Sequence, residues 1–169
     1  MKFCELRKGG GRRRAWTVID FGKHEGKTLP QIALTDPDWL FWAIENGAFN
    51  NRSDALKAEA EDIGRKSTRI RIPNSQLPDL KVECVIHPGV GKLADVKVVP
   101  ASRPPDVGSS STFRLDHFNL SVPRRISPYD KFGGKVMVEA IKRYVFGNAK
   151  TRLTRARCEE FFNDDKHFA

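Results

Sequence analysis

Cysteine is scarce, and the three present, Cys4, Cys84 and Cys158, are spread across the whole chain. That spacing excludes a disulfide framework and a Cys-x-x-Cys zinc knuckle. Histidine is equally thin, since His24, His87, His117 and His167 have no second His or Cys close by in sequence, so no metal site and no cofactor are expected. Long hydrophobic runs are missing as well. The longest apolar cluster, Trp39 to Ile44, is far short of the ~20 residues of a membrane span. No membrane partner is expected. The N-terminus has no apolar core of a secretion signal, which points to a cytoplasmic location.

Acidic residues are in deficit: 21 Asp plus Glu face 30 Lys plus Arg, for a net charge of +9 over 169 residues. A chain of this length folds as one domain or two small ones. Its positive field favours a polyanionic partner, which by sign alone could be nucleic acid, an acidic protein or an anionic surface. The cations gather in three clusters: Arg7, Lys8, Arg12, Arg13 and Arg14 around a glycine run; Arg65, Lys66, Arg69 and Arg71; and Lys142, Arg143, Lys150, Arg152, Arg155 and Arg157. Three clusters in so short a chain favour phosphate contact over solvated faces alone.

Patterning predicts an α+β protein. A basic, glycine-rich arm covers 1–15. Trp16 to Phe21 reads as a strand, and Gly22 to Thr28 as a tight turn with Lys23, His24 and Lys27 projecting at its tip. Asp36-Pro37-Asp38 starts a helix that stops at Gly47, and Ser53 caps another reaching residue 63. Residues 64–77, basic and bounded by Pro73 and Pro78, read as a linker. The unit at 78–169 then opens with an antiparallel hairpin, Leu80–Ile86 against Leu93–Val99. A proline- and serine-rich loop, a strand over 113–122 and two helices over 135–146 and 154–163 complete it.

Gly26-Lys27-Thr28 ends like a phosphate-binding loop, but the position five before Gly26 is Phe21 rather than glycine, so nucleotide hydrolysis is not indicated. The longer string is Phe21-Gly22-Lys23-His24-Glu25-Gly26-Lys27-Thr28-Leu29, Ile32-Ala33, then Asp36-Pro37-Asp38-Trp39-Leu40 and Trp42. It resembles the small C-terminal module of exodeoxyribonuclease X, also found in stand-alone bacterial and phage proteins, whose pattern is F-G-K-x-x-G-K-x-[LI], a short helix, then D-x-x-[WY]-[LI]-x-W. The resemblance covers 16–63 and implies a DNA-associated accessory role. That exonuclease carries its metal-binding acids in a separate preceding domain, whereas 15 residues precede the strand here, so nuclease activity is not carried over.

The reading ranked first is therefore a non-catalytic nucleic-acid-binding protein of a bacterial or phage DNA or RNA transaction. Its candidate contacts are Arg12, Arg13, Arg14, Lys23, His24, Lys27, Arg152 and Arg155. The second reading is an inhibitor or adaptor that docks on a host protein or nucleoprotein complex through the basic clusters and the Trp39/Trp42 helix. The third is a small metal-dependent nuclease, because Asp79 followed by Asp95-Val96-Lys97 fits the loose P-D…[DE]-x-K pattern in which two carboxylates hold a divalent ion. Asp95 and Lys97 also fit the polar face of an ordinary amphipathic strand, which ranks that reading last.

Overall fold

The computed structural model describes residues 13–73, 79–105, 111–128 and 130–169. The protein is α+β. In chain order it has helices α1 (Leu29–Ala33), α2 (Pro37–Glu45) and α3 (Asp54–Ser67), strands β1 (Leu80–Ile86), β2 (Leu93–Pro100) and β3 (Ser111–Leu115), and helices α4 (Val122–Ile126), α5 (Lys131–Tyr144) and α6 (Arg155–Asn163). None of these helices is long and apolar enough to cross a membrane.

Helix starts follow local chemistry. Asp36, Ser53, Asp130 and Thr154 each accept a backbone N–H from the first turn of α2, α3, α5 and α6, filling donors that a helix leaves without intrahelical partners. The hairpin is antiparallel from Leu80 opposite Pro100 to Val85 opposite Asp95, and β3 pairs with the other edge of β1 to give the order β2-β1-β3. One sheet face buries Val82, Cys84 and Val96 beneath α5, which packs on β2. The other carries a cross-strand row in which Glu83, buried, receives Arg114 at 2.9 Å and Lys97 at 3.6 Å.

Four expectations need revision. Trp16 to Phe21 is not a strand: only Val18 bridges, to Thr28, and the Thr17 N–H goes instead to the buried Glu59 carboxylate at 3.1 Å. Burial of Trp16 and Ile19, three apart, breaks the two-residue alternation that a strand requires. The segment 64–77 is not a free linker where it is described, because α3 continues to Ser67 and Ile70 is fully buried, bridging both Phe118 and Phe168. β3 ends at Leu115 rather than 122, and the short helix α4 follows. Finally, α5 begins four residues early. Its Gly133-Gly134 pair looks like a helix breaker in sequence, yet a Cβ at Gly134 would sit 3.3 Å from Pro37, so glycine is what lets α5 approach the start of α2.

A single hydrophobic core results. It runs from Trp16 and Leu29 through Leu40 and Ile63 to Met137, Ile141 and Phe162 without a gap between the two expected units. Cys84 and Cys158 lie in it as free thiols, and burial pushes both up to about 12, so neither is a reactive nucleophile at neutral pH. Cys4 lies outside the described residues.

Candidate functional site

The Gly22–Thr28 turn is held closed by its own backbone, with Ile19 N donating to Lys27 O and Gly26 N to Ile19 O, both at 2.9 Å. Gly22 and Gly26 have φ of +70° and +87°, conformations that side-chain-bearing residues rarely adopt. Folding back at Gly22 drives the next residues inward as a 3-10 turn, Gly22–His24. His24 therefore does not project. It is only 4% exposed, its ring meets Trp39 edge to face at 4.9 Å, and its Nε2 lies 2.9 Å from Asp36 Oδ2.

This corner has a definite protonation. Lys23 Nζ donates to Asp36 Oδ2 at 2.6 Å, and Lys27 Nζ lies 3.3 Å from His24 Nδ1. An ammonium has only donors to offer, so Nδ1 accepts and the proton of the neutral ring sits on Nε2, directed at Asp36. Burial lowers the His24 pKa; the Asp36 hydrogen bond works against that, and Lys27 and Lys23 reinforce it, leaving the imidazole below its ordinary range. For Asp36, burial acts upward, but the hydrogen bonds from Lys23, His24 and the Trp39 amide outweigh it and hold the carboxyl below the usual carboxylate range. His24 and Asp36 are thus structural parts that fix where the two lysines emerge.

Those lysines open into a cavity of about 300 Å³ whose opposite wall is α5. Lys23, His24, Lys27, Asp36 and Asp38 line it together with Lys131, Gly134 and Lys135. A second cavity, of about 460 Å³, begins where the first ends. Thr35 and Lys135 line both, and the second adds Lys142, Lys150, Arg152 and Glu139. Lys131, Lys135 and Lys142, at positions i, i+4 and i+11, fall on one stripe of α5. Their spacing along the helix covers ~16 Å at 1.5 Å per residue. The outcome is one continuous basic groove, with the turn at one end and the 150–153 segment at the other.

Most cations of this groove, Lys23 excepted, lack a carboxylate partner, as do Lys57, Arg69, Lys92 and Arg125 elsewhere among the described residues, whereas several others are paired. Arg14 reaches Asp62, Arg65 reaches Asp62, Arg124 reaches Asp38 and Glu45, and Arg155 reaches Glu159. Arg13 lies 4.0 Å from Glu160. Lys66 is buried between Asp62, Asp165 and the Phe162 carbonyl, and Arg71 holds the Phe168 carbonyl. By contrast, Lys131, Lys135, Lys142, Lys150 and Arg152 have no carboxylate partner among the described residues. The acids of the groove are largely engaged: Asp36 with Lys23 and His24, and Asp38 with Arg124. Glu139 is exposed and lines the second cavity.

Of the residues singled out in sequence, Lys23, His24, Lys27 and Arg152 line this groove, whereas Arg13, Arg14 and Arg155 do not. Arg12 lies outside the described residues. Lys131 and Lys135 went unrecognised although the signal was there, a repeat of lysine at helical spacing on the polar side of an amphipathic segment. The Asp79, Asp95 and Lys97 set is not assembled. Asp79 precedes the first rung of the hairpin and Asp95 pairs with Val85 near its other end, ~20 Å away at 3.4 Å per residue. Asp95 Oδ1 accepts the neighbouring Val96 N–H, and Lys97 faces Glu83. Among the described residues no cluster of His, Cys, Asp and Glu could hold a metal ion.

Comparison with protein families, with curated proteins and with solved structures finds no match to this chain.

Proposed function

We propose that the protein binds nucleic acid without cleaving it, tracking the phosphate backbone along the groove between the Gly22–Thr28 turn and α5. The observation that carries this reading is the convergence of Lys23, Lys27, Lys131, Lys135, Lys142, Lys150 and Arg152 on two adjoining cavities, most of them without an acidic partner. Unpaired like charges held in one cleft repel each other and cost stability unless an anion is brought in. At one phosphate per ~3.4 Å of duplex axis on each strand, the ~16 Å stripe of Lys131, Lys135 and Lys142 runs alongside about five phosphates. The resemblance of residues 16–63 to an exonuclease accessory module points the same way. Such contacts supply affinity and little sequence preference.

Salt titration of binding to a labelled oligonucleotide is the direct test. Affinity should fall with a log–log slope of about −0.7 per contacted phosphate on a single strand and −0.9 on a duplex. A Lys131→Glu/Lys135→Glu variant should weaken binding by about a hundred-fold, about 2.7 kcal/mol, with an unchanged melting temperature. Absence of binding to any nucleic acid at ~50 mM salt would falsify this reading and turn attention to a protein partner for the basic faces and Trp42, which is 43% exposed on α2.

A further inference from the structure

Resting on the nucleic-acid reading, we infer that the groove takes a single strand rather than a duplex, with Phe132 as the platform on which an unpaired base stacks. Phe132 is 69% exposed, the most open of the large hydrophobic side chains among the described residues. No ring or cation of the described residues stacks on it. Among the other described aromatics, Trp42 is 43% exposed on α2, whereas Phe118, Phe161, Phe162 and Phe168 are buried in the core and Trp39 and Phe49 pack against each other.

Its neighbours define what it would meet. Phe132 sits in the first turn of α5, next to Lys131 and one turn before Lys135, and the residues that continue its edge of the helix, Lys135, Glu139 and Arg143, are exposed and charged. An exposed aromatic ringed by charges is poorly suited to an apolar protein surface, which would have to strip water from every one of them. It suits a base, whose flat face stacks on the ring while its own backbone phosphates reach the lysines. The stripe geometry separates the two tasks. Lys131, Lys135 and Lys142 line the cleft, Glu139 lines its second cavity with them, and Phe132 lines neither cavity but sits exposed on the adjoining edge of α5, next to Lys131. A strand with phosphates on these lysines presents its bases outward, toward the edge of α5 that carries Phe132. In a duplex the base faces are already stacked on one another, so Phe132 would have no surface to cover.

The experiment uses the full chain, a fluorescent oligothymidylate, an oligouridylate of equal length, and a duplex of matched length. Phe132→Ala should weaken binding to both single strands by about ten-fold, the effect of losing one stacked base. Duplex affinity and melting temperature should stay as in the parent. Phe132→Trp should restore the single-strand affinity, and its added indole fluorescence should be quenched when oligothymidylate binds. If Phe132→Ala leaves single-strand binding unchanged while Lys131→Glu/Lys135→Glu weakens it, stacking is overturned and the phosphate groove stands. Equal losses on single strand and duplex overturn the strand selectivity. If neither variant alters any affinity, both the stacking proposal and the groove reading fall.

Discussion

Two basic regions of this molecule look alike in sequence and differ in what the fold does with them. Around Arg65–Arg71 three of the four cations are consumed internally: Lys66 is buried against the Phe162 carbonyl, Arg65 is paired, and Arg71 ties down the Phe168 carbonyl near the C-terminus, while Arg69 is exposed. Around α5 the cations line a cleft and most lack a partner. Local charge density is therefore a poor guide to function. A cation that satisfies a buried carbonyl stabilises the fold, while one that shares a cleft with like charges is available to a ligand.

Substitutions that separate stability from binding test this contrast most sharply. The largest effect is expected at Lys66→Ala, which removes a charge-assisted hydrogen bond to the Phe162 carbonyl and the anchor of α6 on α3. Stability should drop by about 3 kcal/mol in denaturant unfolding, with nucleic-acid affinity of the folded fraction unchanged; a melting curve like the parent's would erase the distinction between the two regions. Next is Lys142→Ala/Arg152→Ala at the far end of the groove. Affinity should weaken by about ten-fold, about 1.4 kcal/mol, and unfolding should move by less than about 0.5 kcal/mol. Loss of stability in place of affinity would reassign those residues to the structural class.

The third expectation concerns pH. His24 and His167 are both held below the ordinary imidazole range, led in each case by burial. A depressed folded-state pKa means that the unfolded chain takes up the proton first as pH falls. Stability is thus fully present above about pH 6.5, declines as pH drops through the range below it, and levels off once the folded protein is protonated. Asp36, also depressed, adds a separate loss only below the usual carboxylate range. Melting temperatures at pH 7.5 and 5 should therefore differ more for the parent than for His24→Gln, and equal pH dependence would show that His24 is not buried in its neutral form. The smallest effect is expected at Arg155→Ala. That residue makes an i, i+4 pair with Glu159 on a largely exposed face, so both stability and affinity should stay within about 0.5 kcal/mol of the parent; a ten-fold affinity loss would extend the interface to α6.

Much of the fold is legible in the chain because its signals are local. The Asp36-Pro37 start of α2, the Ser53 cap of α3 and the alternating hairpin strands depend on side chains meeting their own or adjacent backbone. The misread elements depend on distant partners. Trp16–Phe21 has strand-like composition, yet Glu59 takes the Thr17 N–H and the ladder never forms. Gly133-Gly134 resembles a break until Pro37 comes to lie against it. His24 has the neighbours of an exposed turn and is buried only because Trp39 and Asp36, brought round by α2, close over it.

By itself the sequence determined composition, net charge, the capped helix starts, the hairpin and the α+β class, since each follows from spacing and short-range hydrogen bonding. Only tertiary structure decided which of the 30 cations are available. Availability is set by whether a carboxylate or a carbonyl lies within hydrogen-bonding reach, and for Lys66, Arg71 and Arg124 those partners come from residues far along the chain.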